Sequence, residues 1–157
     1  AKKLEAGRRS VRSDIDFVLT FEEVMGMFEA KQIDFSTLAE QEPMHGASGD
    51  GRGFALSGGV AEAVVNCIKE QYPDREVKVA NAEGLAACKK LLTMAKAGKY
   101  NGYLLEGMAC PGGCIAGAGT LADPARSAMM LNKYKAQATM KTAADTPYKD
   151  TLDKLKY

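Results

Sequence analysis

Cys110 and Cys114 lie in one short segment, Glu106-Gly107-Met108-Ala109-Cys110-Pro111-Gly112-Gly113-Cys114. Two thiols with three residues between them can face one side of a tight turn that enters a helix. Cluster iron binds thiolate, and a helix N-terminus favours that negative charge. Pro111 restricts the turn and has no amide to donate. Gly112 and Gly113 let backbone approach a bulky inorganic group, and their amides can donate to its sulfides. Zinc is the weaker reading, because a structural zinc site takes four ligands and no second close Cys or His pair exists. Cys67 and Cys88 fall mid-helix among apolar neighbours and read as small buried hydrophobes. Metal chemistry therefore rests on Cys110 and Cys114.

Other polar and soft residues carry less. His45 is the one histidine, sits in a polar loop, and reads as solvent-exposed. The eight methionines mostly fit helix faces as core filler. Gly46–Gly53 superficially resembles a phosphate loop, but no Gly-Lys-Ser/Thr follows.

The flanking elements must position the cysteine turn. DIDFVL at 14–19, REVKVA at 75–80 and NGYLLE at 101–106 read as strands. Thr20 can cap a helix at 21–31, with Glu22 and Glu23 in its first turn. Four glycines between 46 and 53 predict a mobile or ligand-wrapping loop. Ser57 can cap a helix opened by Gly58 and Gly59, which runs to about Gln71 and is stopped by Pro73. A helix over 82–97 puts Leu85, Cys88, Leu92 and Ala95 on one face, with Gly98 as its terminator. Further helices are expected at about 123–142 and 147–156. This alternation predicts an α/β fold, a small and mostly parallel sheet flanked by helices. Ligands of such sheets bind beyond the carboxyl ends of the strands. The Gly-rich loop, Ser57-Gly58-Gly59 and the cysteine turn can converge there.

At 157 residues the chain is one domain or a large piece of one. Its net charge of +1 provides no field for nucleic acid or an anionic membrane. No apolar run reaches the ~20 residues of a membrane span, and residues 1–12 lack the apolar core of a signal peptide. The thiols read as reduced, which points to the cytoplasm. An initial Ala in place of Met suggests a processed chain or a fragment.

Met108-Ala109-Cys110-Pro111-Gly112-Gly113-Cys114, with Glu106 before it and Gly117 and Gly119 after, resembles the third signature of the [FeFe] hydrogenases. Other segments follow in the family's order. Ala1-Lys2-Lys3-Leu4-Glu5 resembles the tail of the second signature. Residues 14–20 with Phe21-Glu22-Glu23 resemble the next strand–helix step. Phe54 to Ala63 is similar to the glycine-bearing helix start beside the di-iron site. The resemblance covers most of residues 1–121 and is weaker in the tail.

The resemblance implies one lobe, the C-terminal half, of the iron hydrogenase catalytic domain. It implies an H-cluster: a 4Fe-4S cubane bridged to a di-iron subcluster with carbonyl, cyanide and azadithiolate ligands. On it, Cys110 ligates the cubane and Cys114 links cubane to di-iron unit. Met108 packs against the di-iron site, and Lys2 hydrogen-bonds a cyanide ligand. Phe54, Ala55, Ser57, Gly58 and Gly113 fall in the cofactor-binding segments. The implied reaction is the reversible reduction of protons to hydrogen. The implied partners are the N-terminal half of the domain, which brings the remaining ligands, and a ferredoxin-like electron carrier; the C-terminal lysines (Lys133, Lys135, Lys141, Lys149, Lys154, Lys156) read first as a solvated helix face and second as a dock for its acidic surface. Ala55, Ala116 and Ala118 depart from the family's glycines. They support an alternative, a non-catalytic hydrogenase-like iron–sulfur sensor or assembly protein.

Overall fold

In the computed structural model two parallel strands form the sheet, β1 (Lys78–Glu83) and β2 (Tyr103–Met108). Their register runs from Lys78 opposite Tyr103 to Glu83 opposite Met108. The structure describes Gly7, residues 14–39, residues 46–148, Thr151 and Lys154. The expectations for residues 1–5 and His45 fall outside those residues. The chain divides into two compact units, residues 1–41 with 118–121 and residues 42–117 with 122–157.

In the first unit, helix α1 (Phe21–Ala30) begins at Thr20 as expected. The cap is reciprocal: Thr20 Oγ1 accepts from the Glu23 amide at 3.2 Å, and Glu23 Oε2 accepts from the Thr20 amide at 2.7 Å. Two otherwise orphaned amides are thereby satisfied. The expected strand at 14–19 does not form, and these residues join neither strand of the sheet. Phe17 is 85% exposed, so its apolar alternation has no buried face to serve.

The second unit carries the sheet and the cysteine turn. Its helices are α2 (Gly49–Arg52), α3 (Gly59–Gln71), α4 (Leu85–Lys96) and α5 (Pro124–Ala136). Helix α4 is the crossover that parallel pairing of β1 and β2 demands. Both strands begin and end two or three residues later than the apolar pattern predicts. Gly102, at φ +78, holds the chain in a turn before β2, and the ladder then runs on to Met108. Leu91 of α4 is buried, with Cys88 and Ala95 half-buried on its side of the helix. Leu85 and Leu92, expected on that inner face, are 75% and 62% exposed instead. Helix α5 is capped by Asp123, which accepts from the Arg126 amide at 2.9 Å, and starts with Pro124. It ends at Ala136, short of the expected 142, and Ala138 just beyond it is buried. Residues 140 and 141 then meet α2: the Gly49 and Asp50 amides donate to the Met140 and Lys141 carbonyls at 2.8 and 3.0 Å. Of the expected last helix, Thr151 and Lys154 are helical.

The glycines at 49–53 lie in short helical turns. Gly49 to Arg52 make one helical turn capped by Ser48, with Gly49 and Asp50 buried. Their role is close packing. A Cβ on Gly49 would sit 3.2 Å from the Lys141 carbonyl, and one on Gly59 would overlap the Gly53 carbonyl at 1.9 Å.

Candidate metal centre

The cysteine turn leaves the carboxyl end of β2, as the topology predicts for a ligand site. Met108 is half-buried as the last residue of that strand, and its carbonyl accepts from the Gly84 amide at 2.8 Å. The turn closes through the Gly113 amide, which donates to the Cys110 carbonyl at 3.0 Å. Gly112 and Gly113 both have positive φ, +82 and +90. Gly113 combines that φ with ψ −166, a region essentially reserved for glycine.

Gly113 also makes the key tertiary contact. It pairs with Leu56 as an isolated antiparallel bridge. A Cβ there would lie 2.4 Å from the Ala55 carbonyl oxygen and 2.7 Å from the Ser57 nitrogen. The Ala55–Ser57 segment is thus set directly against the turn that bears Cys110 and Cys114. Gly58, at φ +87, then starts α3, and Asn81 Nδ2 lies 3.1 Å from where its Cβ would be. Phe54 is 48% exposed. Lys2 lies outside the described residues.

Cys110 is half-buried, Cys114 is exposed, and neither is in a disulfide. Gly117 lies under the first thiol: its Cβ would be 3.4 Å from Cys110 Sγ. Cys114 opens a three-residue 3-10 turn (Cys114–Ala116), so the helix expected to favour its thiolate is a single short turn. Among the described residues no three His, Cys, Asp or Glu side chains gather as a full metal-ligand set. Two soft thiol donors on one glycine-lined turn fit an iron–sulfur group in part, as two of its ligands. Cys67 and Cys88 are free and half-buried. The Cys88 thiol makes weak bonds at 3.5 Å to the Ala82 and Met108 carbonyls.

Two carboxylates to which the sequence reading gives no role hold this arrangement. Glu106, on β2 and 8% exposed, accepts through Oε1 from the Val60 and Ala61 amides, both at 3.1 Å. It caps α3, the role expected of Ser57, because the actual N-cap Gly58 has no side chain to offer. The Ser57 hydroxyl instead bonds the Glu83 carboxylate, which also accepts from the Gly112 amide at 2.7 Å. These bonds, the Gly112 amide first and Ser57 second, hold the Glu83 carboxyl below its usual value. The amides of Gly112 and Gly113, expected to face a cluster's sulfides, are therefore both spent within the protein.

Residues 1–118 match the family described as iron only hydrogenase large subunit, C-terminal domain. The chain belongs to this iron-only hydrogenase family. It is 32% identical to the periplasmic [Fe] hydrogenase large subunit of Nitratidesulfovibrio vulgaris over 76% of this chain and 36% of that protein. It is 29% identical to iron hydrogenase 1 of Clostridium pasteurianum, over 76% of this chain and 26% of that one. This hydrogenase-family chain thus spans about a third or less of the length of these relatives. Its fold matches a solved structure, HydA(deltaEFG), described as revealing stepwise [FeFe]-hydrogenase H-cluster assembly. The TM-score is 0.59 at 21% identity, over 98% of this chain and 56% of that one. Among the described residues no helix is long and apolar enough to cross a membrane.

Proposed function

We propose that this chain is part of the catalytic domain of an [FeFe] hydrogenase and that Cys110 and Cys114 are two thiolate ligands of its H-cluster. The reaction is the reversible reduction of protons to hydrogen, with electrons from a ferredoxin-like carrier. The Leu56–Gly113 bridge is the observation that carries this reading. It sets a free-thiol turn against a second glycine-bearing segment at the carboxyl end of a parallel sheet.

When bound, a 4Fe-4S cubane joined to a di-iron unit supplies the electron and proton chemistry. The chain's own residues hold and shield that group. Cys110 serves the cubane and Cys114 the junction. Met108, at the end of β2, offers a soft apolar wall, and Phe54 an aromatic one. Lys2 supplies a cation for an anionic cyanide ligand.

Two cysteines are half of a cubane's ligand set. The other thiolates come from the N-terminal half of the hydrogenase domain, in the same polypeptide or as a separate subunit. Two observations support a covering partner. No described large side chain is fully buried, and Leu85, Leu92, Met129 and Met130 are all more than half exposed. The free thiols suit a reducing compartment such as the cytoplasm.

The test is to co-express the chain with the N-terminal half and the maturation machinery, then measure hydrogen evolution from reduced viologen. Activity well above that of a Cys114→Ala control is expected. Equal activity in both rejects the proposal. Infrared spectra of the same sample separate the rival, since a sensor or assembly protein lacking the di-iron unit has no carbonyl or cyanide bands.

A further inference from the structure

Glu83 occupies an unusual position for an exposed carboxylate. It is the last residue of β1 and faces Met108, the last residue of β2, across the ladder. Its Oε2 accepts from the Gly112 amide at 2.7 Å, across 29 residues of sequence. The same carboxylate accepts from the Ser57 hydroxyl. One side chain thus ties both segments assigned to the metal centre. Gly112 lies between Cys110 and Cys114, and Ser57 borders the bridge to Gly113. The next residue, Gly84, holds φ +80, and its Cβ position lies 3.7 Å from Pro111. The end of β1 therefore packs on the turn itself.

We propose that Glu83 lowers the reduction potential of the metal centre, by withdrawing the Gly112 amide and the Ser57 hydroxyl from the bound group and by placing a carboxylate beside the turn. The physical basis is direct. Hydrogen bonds to a cluster's sulfurs favour the more negative, reduced state, and net negative charge nearby opposes it. Glu83 acts in one direction through both routes. The charge is exposed and is weakened by salt, whereas the donor withdrawal is short-range and is not. Glu83 is a positioning residue, since it acts through Gly112 and Ser57. The inference rests on the reading of Cys110 and Cys114 as cluster ligands.

The experiment compares wild type, Glu83→Gln, Glu83→Ala and the exposed-site control Glu76→Gln. Each is matured together with the N-terminal half. Midpoint potentials are measured by spectroelectrochemistry, and Gly112 amide exchange by hydrogen–deuterium exchange on the same matured samples. The expected result is a less negative potential in both Glu83 variants, with several-fold faster exchange at Gly112 in Glu83→Ala and no change in Glu76→Gln. Faster exchange with an unchanged potential reduces Glu83 to a structural tie and overturns the inference alone. Unchanged exchange also overturns it, because the contact is then immaterial. A wild-type protein that takes up no iron overturns the cluster reading, and the inference falls with it.

Discussion

Leu56 and Gly113 pair across an antiparallel bridge that leaves no space for a side chain at position 113. The backbone oxygen of Ala55 would lie 2.4 Å from an added Cβ, and φ is +90. Gly113→Ala should therefore separate the two segments or strain both, at a cost of about 2–4 kcal/mol. Gly26→Ala is the matched control, because it lies inside α1 with nothing within 4 Å of its Cβ position. That change should stabilise by about 0.5–1 kcal/mol. Urea denaturation of both variants checks the contrast.

Glu106 should be the most sensitive polar residue of the second unit. Its Oε1 is the acceptor for two amides at the start of α3, and it is buried. Glu106→Ala orphans both donors and should cost about 2–3 kcal/mol, lowering Tm by roughly 5–10 °C. Glu106→Gln keeps an acceptor and should cost about half as much. Equal losses in the two variants would show that a neutral acceptor does not cap α3 and that the charged carboxylate is what Glu106 provides.

Acid should weaken the fold through carboxylates that accept backbone amides. Glu83 is held below its ordinary 4.5 by Gly112 and then Ser57. Asp145 is held below 3.8 by the amides of Thr142 and then Lys141, at 2.9 and 2.7 Å. A folded value below the unfolded one means the unfolded chain binds more protons. Stability from these groups is complete above the unfolded values and is lost as pH falls through the folded ones. The denaturation midpoint should fall from about pH 5 downward. Glu83→Gln and Asp145→Asn should each flatten that fall, and a pH series of urea melts reads it.

Much of this arrangement is legible in the residues. The parallel sheet, the Thr20 cap and the cysteine turn at a strand's carboxyl end follow from local pattern and spacing. What escapes the sequence is set by distant partners. Nothing near Gly58 announces that Glu106, more than forty residues on, caps its helix. Ser57 looks like a cap, yet its hydroxyl is drawn to Glu83. Glycines 49 to 53 suggest mobility because composition cannot reveal that Met140 and Lys141 pack against them. Leu91 and Leu92 are adjacent leucines of one amphipathic helix, and only the placement of the sheet decides that the first is buried. The segment 14–19 alternates like a strand, but alternation alone supplies no neighbouring strand.

Iron content is the most direct measure of whether the thiols of residues 110 and 114 bind metal. The matured protein, with its N-terminal half, is purified without oxygen as wild type, Cys110→Ala, Cys114→Ala and Cys88→Ala, and iron is counted per chain. The account predicts that the first two variants lose most of the cluster iron, while Cys88→Ala matches wild type at a modest stability cost of about 1 kcal/mol. Full iron retention in Cys110→Ala and Cys114→Ala would contradict it.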